Sequence, residues 1–358
     1  TLSTKDNDSD EYDFELDHQF PTLNGMSGTV TKEGLEKLEA NPLVEDIYLD
    51  KEFKALLPDS VPMVNGTVVH SKQILNLNLT GTDQTVCIID SGVNYLLPGL
   101  GGCFGTGCKV LDGFNYADNE VDVLDDNGHG THVASIVASN DTTNPGVAPN
   151  ANIVALKALN HSGTGPGANV IAAIDWCISN RTVYNITTIV MSLGDATPVG
   201  SYCNGALPNA ANDAVANGIF VAVAAGNEAS STGISSPACA INVTSVSSVD
   251  DGSSSTTRDS VSSFSNTASI LDIFAPGQWI TANVPKEFYC TNGTGEICSD
   301  TNTQTVGGTS QAAPHVAGAA MLLYQYKLLE NGTTLLPQQI EDALKNSSTF
   351  VTDPDNSL

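Results

Sequence analysis

From about residue 60 the chain repeats one pattern: a short run rich in β-branched residues, then a longer stretch with helical spacing. The runs cover 85–90, 153–159, 186–193, 219–225 and 241–249, and the helical stretches cover 129–140, 166–180 and 206–217. Runs that are apolar at consecutive positions, not only at alternate ones, need cover on both faces, and the intervening helices supply it. The pattern predicts an α/β domain: a mostly parallel sheet flanked by helices on both faces. Ligands of such sheets bind outside the carboxyl ends of the strands. Asp90, the last residue of TVCIID, therefore stands where chemistry is expected.

The first 59 residues differ in character. After an acidic opening, 13–20 can be extended and 25–31 alternates small and β-branched residues. Residues 32–40 put Leu35 and Leu38 on one helical face, and 44–49 alternates again. A unit this small cannot build a robust core alone. Residues 55–62 (ALLPDSVP) read as a linker. The chain of 358 residues is thus expected to divide into 1–59 and 60–358.

Charge and cysteines limit the surroundings. Lys and Arg total 13 against 40 Asp and Glu, a net charge of −27. Such a surface repels phosphate, which argues against nucleic acid and anionic membranes as partners. The longest apolar run, near 219–225, is far short of the ~20 residues of a membrane span. None of the 8 cysteines has C-x-x-C spacing, so a zinc site is not indicated. Cys103–Cys108 and Cys290–Cys298 would each close a small loop, which suits an oxidising compartment. Cys87, in the middle of a strand, reads as a free buried thiol. Asn-x-Ser/Thr sequons recur from Asn7 to Asn346 and point the same way, to a secreted protein.

Three segments carry chemistry. Ile89-Asp90-Ser91-Gly92 closes a strand, Asn127-Gly128-His129-Gly130-Thr131-His132 opens a helix, and Gly308-Thr309-Ser310-Gln311 opens another. Each has an ordinary structural reading by itself: a turn former, a helix-start ring, an N-cap. His129 and His132 lack an adjacent Glu or Cys, which argues against a metal pair. Together the segments supply a carboxylate, an imidazole and a hydroxyl. A serine hydroxyl is a weak nucleophile and needs a base; an imidazole can take its proton near neutral pH, and a buried carboxylate can orient that imidazole. Asn227, after the strand that ends Ala224-Ala225-Gly226, offers a side-chain amide for a developing oxyanion.

In this order, Asp90-Ser91-Gly92, His129-Gly130-Thr131-His132 and Gly308-Thr309-Ser310 resemble the three signature blocks of the subtilisin-like serine proteases, over about residues 64–327. The Asp, His, Ser order is a property of that family and comes with the resemblance. The resemblance implies that Asp90 orients His129, that His129 is general base and acid, that Ser310 attacks the scissile carbonyl, and that Asn227 is the oxyanion donor. It also implies that Ser192-Leu193-Gly194 pairs with extended peptide substrate and that Ala224, Ala225 and Gly226 wall the primary pocket, with Ser235 and Glu228 at its base and rim.

Residues 25–50 resemble the second half of the family's inhibitor-type propeptide, a small α+β ferredoxin-like fold. Cleavage of that intramolecular inhibitor is expected near 57–62. Gln311 replaces the Met that many relatives carry after the nucleophile, which predicts lower sensitivity to oxidation. Leu97-Pro98-Gly99 stands where the family's strong calcium site has an Asp, although Asn140 matches another ligand of that site. A second calcium loop is expected at Asp118, Glu120 and Asp122, whose spacing suits a hard cation. The family also implies a Cys203–Cys239 bridge and leaves Cys177 without an evident partner. Its usual last strand and helix are not visible in the polar run before Leu358. The expected function is that of a monomeric, secreted endopeptidase precursor acting on proteins and peptides. An esterase or peptide ligase on the same triad, or a catalytically silent binding protein, is the alternative.

Overall fold

The computed structural model describes residues 14–20, 25–44, 47, 60–252, 257–285 and 303–351. The chain forms two compact units, Thr1–Ala55 and Leu56–Leu358. In the first, β1 (Phe14–Phe20) pairs antiparallel with β2 (Gly25–Val30), and α1 (Lys32–Glu39) follows. Thr31 starts α1 because its hydroxyl accepts the Gly34 N–H at 3.0 Å, satisfying a donor that the first turn would leave orphaned. The strand expected at 44–49 falls largely outside the described residues.

The second unit opens with two short helices, α2 (Ser60–Met63) and α3 (Gly66–His70), and a small hairpin of β3 (Gln73–Ile74) and β4 (Leu77–Asn78). The main sheet then assembles from β5 (Thr85–Asp90), β6 (Val110–Asn115), β7 (Asn152–Lys157), β8 (Ile186–Met191), β9 (Phe220–Ala224), β10 (Thr244–Asp250) and β11 (Ile273–Gln278). Its 7 strands run in the order β11-β10-β9-β8-β5-β7-β6, and every pairing is parallel. The crossovers include α4 (His129–Ala138), α5 (Gly167–Ser179), α6 (Arg181–Tyr184) and α7 (Ala206–Ala216). A hairpin of β12 (Ile280–Asn283) and β13 (Thr303–Val306) precedes the long α8 (Thr309–Asn331), and α9 (Pro337–Ser347) follows.

The central strand shows why the sheet needs two layers of helices. All of β5 is buried, and its side chains alternate between two cores. Val86 and Ile88 join Val133 and Val137 of α4 and Val316 and Ala320 of α8. Cys87 and Ile89 join Ala173 and Ile174 of α5 and Ala211 and Ala214 of α7. Each fully buried Ile or Leu stabilises by about 1.5–3 kcal/mol relative to exposure.

Several expectations need correction. Cys87 is not a free thiol: it is bridged to Cys177, because β5 turns it toward α5. The Cys103–Cys108 and Cys203–Cys239 bridges are both formed. Cys290 and Cys298 lie outside the described residues. After α8, α9 seats Ile340 in the core that α8 shares; the polar run before Leu358 lies largely outside the described residues. Among the described residues no helix is long and apolar enough to cross a membrane.

Candidate active site

Asp90 and His129 come together because β5 ends where α4 begins. His129 Nδ1 lies 2.8 Å from Asp90 Oδ1, which also accepts the Ser91 N–H at 2.7 Å. The carboxylate is sealed (side chain 1% exposed) while the ring keeps 28% exposure, so one edge of the imidazole faces solvent. The approach depends on Gly130, where an added Cβ would lie 2.2 Å from Gly92 O and 3.1 Å from Asp90 Cβ. Burial pulls the pKa of His129 down. The charge and hydrogen bond of Asp90, with a smaller contribution from the charge of Asp125, outweigh it and hold the pKa above the ordinary value. The ring is therefore a stronger base than a free imidazole.

Ser310 is the second residue of α8, at the positive end of a 23-residue helix. Its hydroxyl donates to Ser192 O at 3.1 Å, and Ser192 Oγ returns a bond to Ser310 O at 2.8 Å. Ser192 directly follows β8, so this exchange fixes the start of α8 over the carboxyl end of the sheet. A cleft of ≈ 880 Å³ begins there; His129, Ser192, Leu193 and Gly194 line it, and Val170 and Leu207 add apolar surface.

Asn227 follows β9. Its Oδ1 accepts the Thr309 N–H at 2.8 Å and the Thr309 hydroxyl at 3.0 Å, and Thr309 Oγ1 in turn accepts the Gly226 N–H at 3.1 Å. With Oδ1 engaged, the amide N–H groups remain available for another acceptor. Gly226 itself has φ +106°, and a Cβ there would lie within 2.7 Å of Asn266 Nδ2, Glu228 Oε2 and Ser235 Oγ. Ser235 is fully buried and donates to Glu228 Oε2 at 3.2 Å. A Cβ on Gly194 would meet Ser235 Cβ at 3.3 Å. Segments 192–194 and 224–226 therefore both approach Ser235, and of these residues the cleft is lined by 192–194.

The acidic loop differs from its expectation. Asp118 Oδ2 accepts from Asn115 Nδ2 at 3.1 Å, whereas Asp122 Oδ1 accepts from Tyr95 Oη and Leu124 N, both at 3.0 Å. Glu120 pairs through its backbone with Asn115. The Asp118 and Asp122 carboxylates accept from different neighbours, and among the described residues no three His, Cys, Asp or Glu are grouped to hold a metal. The loop does not fit a calcium site formed by Asp118, Glu120 and Asp122. At the other expected place, the Asn140 N–H donates to Gly99 O at 2.9 Å and 97–99 offers no carboxylate.

Sequence reasoning missed three contributors: Thr309, which orients Asn227; Asp125, which is fully buried beside His129; and Lys157, fully buried at the end of β7 opposite Asp90. A charged residue inside an otherwise apolar run such as IVALKAL, or four positions before the helix-start His, was the available signal.

A parallel sheet with these groups at its carboxyl edge matches known proteins. The subtilase family profile matches residues 81–357. Subtilisin E of Bacillus subtilis (strain 168) is 32% identical over 343 residues, covering 94% of this chain and 78% of that protein. The subtilisin-like serine protease Pen ch 13 of Penicillium rubens is 37% identical over 294 residues, 78% of this chain and 66% of that protein. The crystal structure of a cold-adapted subtilisin-like serine proteinase superposes with a TM-score of 0.60 at 30% identity, covering 87% of this chain and 90% of that one. The chain belongs to the subtilase family. It is a subtilisin-like serine endopeptidase.

Proposed function

We propose that the chain is a secreted endopeptidase precursor whose peptide-bond hydrolysis runs through Ser310, His129 and Asp90, with Asn227 as oxyanion donor. The observation that carries this reading is the 2.8 Å Asp90–His129 bond at the mouth of a cleft that ends on Ser192, the residue holding the hydroxyl of Ser310. A substrate strand pairs along 192–194 and sets its side chain between that segment and 224–226, over Ser235. The Ser310 hydroxyl turns from Ser192 O to the open edge of His129. His129 Nε2 takes the proton as Oγ bonds to the carbonyl carbon, and Asp90 stabilises the imidazolium. The oxyanion receives an Asn227 N–H and the field of the α8 N-terminus. His129 returns the proton to the leaving amine, and water then repeats the sequence to release the acid.

Three disulfides among the described residues support assembly in an oxidising compartment. The unit formed by β1, β2 and α1 acts in this proposal as the chain's own inhibitor, cut near 57–62 in a monomer. The test is Ser310→Ala. It abolishes peptide hydrolysis and fluorophosphonate labelling and leaves the chain uncut by mass spectrometry. Undiminished hydrolysis by that variant rules the assignment out.

A further inference from the structure

The acidic loop before α4 also holds one carboxylate with a use of its own. Asp125 is completely buried and accepts five hydrogen bonds. Its Oδ1 takes Ser91 Oγ at 3.0 Å, Asn127 N at 3.0 Å and Gly128 N at 2.9 Å; its Oδ2 takes Thr131 N at 2.9 Å and Thr131 Oγ1 at 2.5 Å. Every partner is a donor, so the acceptor sites of an ionised carboxylate are filled. Burial holds its pKa above the ordinary carboxylate value, and the bonds from Thr131, Gly128 and Asn127 oppose that rise only in part.

Its partners lie on both sides of the Asp90–His129 bond. Ser91 is the neighbour of Asp90, and its Oγ also accepts the Gly130 N–H at 2.9 Å. Thr131 Oγ1 accepts the Asn94 N–H at 2.9 Å. The Val93 N–H reaches Val123 O at 3.0 Å. A second tie comes from Lys157, whose Nζ donates to Ser91 O at 2.9 Å and Leu159 O at 3.2 Å and pairs with Asp126. The turn after β5 and the first turn of α4 are thus joined through one buried anion, and the loop preceding α4 is anchored by one buried cation.

The geometry points to Asp125 as the positioning residue of the acid–base pair: it fixes Asp90 and His129 in register and supplies a second buried negative charge beside the imidazole. This deepens the triad reading and rests on it. Asp125 touches neither substrate nor the reacting atoms; it acts through Ser91, Gly128, Gly130 and Thr131. The charged or titratable groups around His129 are Asp90 from β5, Asp125 and Asp126 from the loop, His132 from α4, Lys157 from β7, and His161 and Asp195 along the same cleft, with His315 of α8 beyond His132.

Asp125→Asn removes the charge and offers an amide NH₂ where two donors converge. Its kcat falls about 10–100-fold with KM within about twofold, the scale of a small misplacement of a reacting group. The acid limb of kcat/KM moves to lower pH, because losing a neighbouring anion lowers the pKa of His129. An NMR titration of the His129 ring in the Ser310→Ala background reads the same downward shift without catalysis. Thr131→Val keeps the charge and removes the hydroxyl that bonds Asp125 and Asn94; it loses rate severalfold with the limb unmoved. A folded Asp125→Asn with parental kcat and an unmoved His129 titration overturns the inference. If Asp125→Asn does not accumulate as folded protein, Ser91→Ala and Thr131→Val decide it, and parental kcat in both overturns it. Hydrolysis surviving in Ser310→Ala would instead remove the triad reading on which the inference stands.

Discussion

The two halves of the site are held in different ways. On one side, Asp90 and His129 are already bonded at 2.8 Å, with the carboxylate sealed and two further buried charges, Asp125 and Lys157, tying the segments together. On the other, the Ser310 hydroxyl rests 3.1 Å from a backbone carbonyl and Asn227 is exposed, held through its Oδ1 alone. The difference follows from the chemistry each half performs. In the proposed mechanism the base must keep one tautomer and orientation and be stabilised when it takes a proton, which needs fixed buried negative charge. A nucleophile must turn from its resting acceptor to the base and then to the substrate, which needs a hydrogen bond that is easily exchanged.

Removing the charge of Asp90 strikes the preassembled half directly. Asp90→Asn is expected to lower kcat by about 10⁴, the cost known for the wrong imidazole tautomer in a serine-protease triad. Steady-state kinetics on an amide substrate reads it. A loss below tenfold would mean that His129 is oriented without Asp90, and the contrast between the halves would dissolve.

Each half also contains a buried histidine, which allows their stabilities to be separated. His132, on α4, donates from Nε2 to Gln304 O at 3.1 Å, and its Nδ1 has no partner among the described residues. His315, on α8, donates from Nδ1 to Gln311 O at 2.8 Å, and its Nε2 has no partner among the described residues. Burial lowers both pKa values to about 4. The unfolded chain takes up protons near pH 6.5 and the folded chain does not, so stability is full above about pH 7 and falls between about pH 6.5 and 4. Each ring contributes on the order of 3 kcal/mol to that fall. Denaturant titrations at pH 7 and pH 4.5 check it. His132→Gln and His315→Gln should each flatten the slope; equal slopes in both variants and the parent would refute the assignment.

How much of this was legible depends on the environment of each element. Runs β5, β7, β8, β9 and β10 were legible because their neighbours bury them almost continuously. Strands β6 (VLDGFN) and β11 (IFAPGQ) were not: they form the two edges of the sheet, are only half-buried, and therefore tolerate Asp, Gly and Pro. The chemical blocks were legible because glycine on either side of His129 and before Thr309 marks close backbone approach. The acidic loop was legible only in part, because sequence gives the spacing of carboxylates but not whether they converge on one point. Cys87–Cys177, separated by 90 residues, depends on which helix covers which face of β5.

The exchangeable half is tested at its amide. Asn227→Ala is expected to lower kcat by about 10²–10³ with little change in KM, the range of this family's oxyanion donor, carried over with the resemblance. Thr309→Val sharpens the result. It deletes the hydroxyl that links Gly226 N–H to Asn227 Oδ1 but keeps the Thr309 N–H bond at 2.8 Å. One of two restraints on the amide survives, so the loss should be about tenfold, smaller than deleting the donor. Because Thr309 acts only through Asn227, Thr309→Val should cost almost nothing in the Asn227→Ala background, and a double-mutant cycle measures that coupling. Additive losses would show that Thr309 serves the α8 N-terminus instead, leaving Asn227 oriented by the backbone alone.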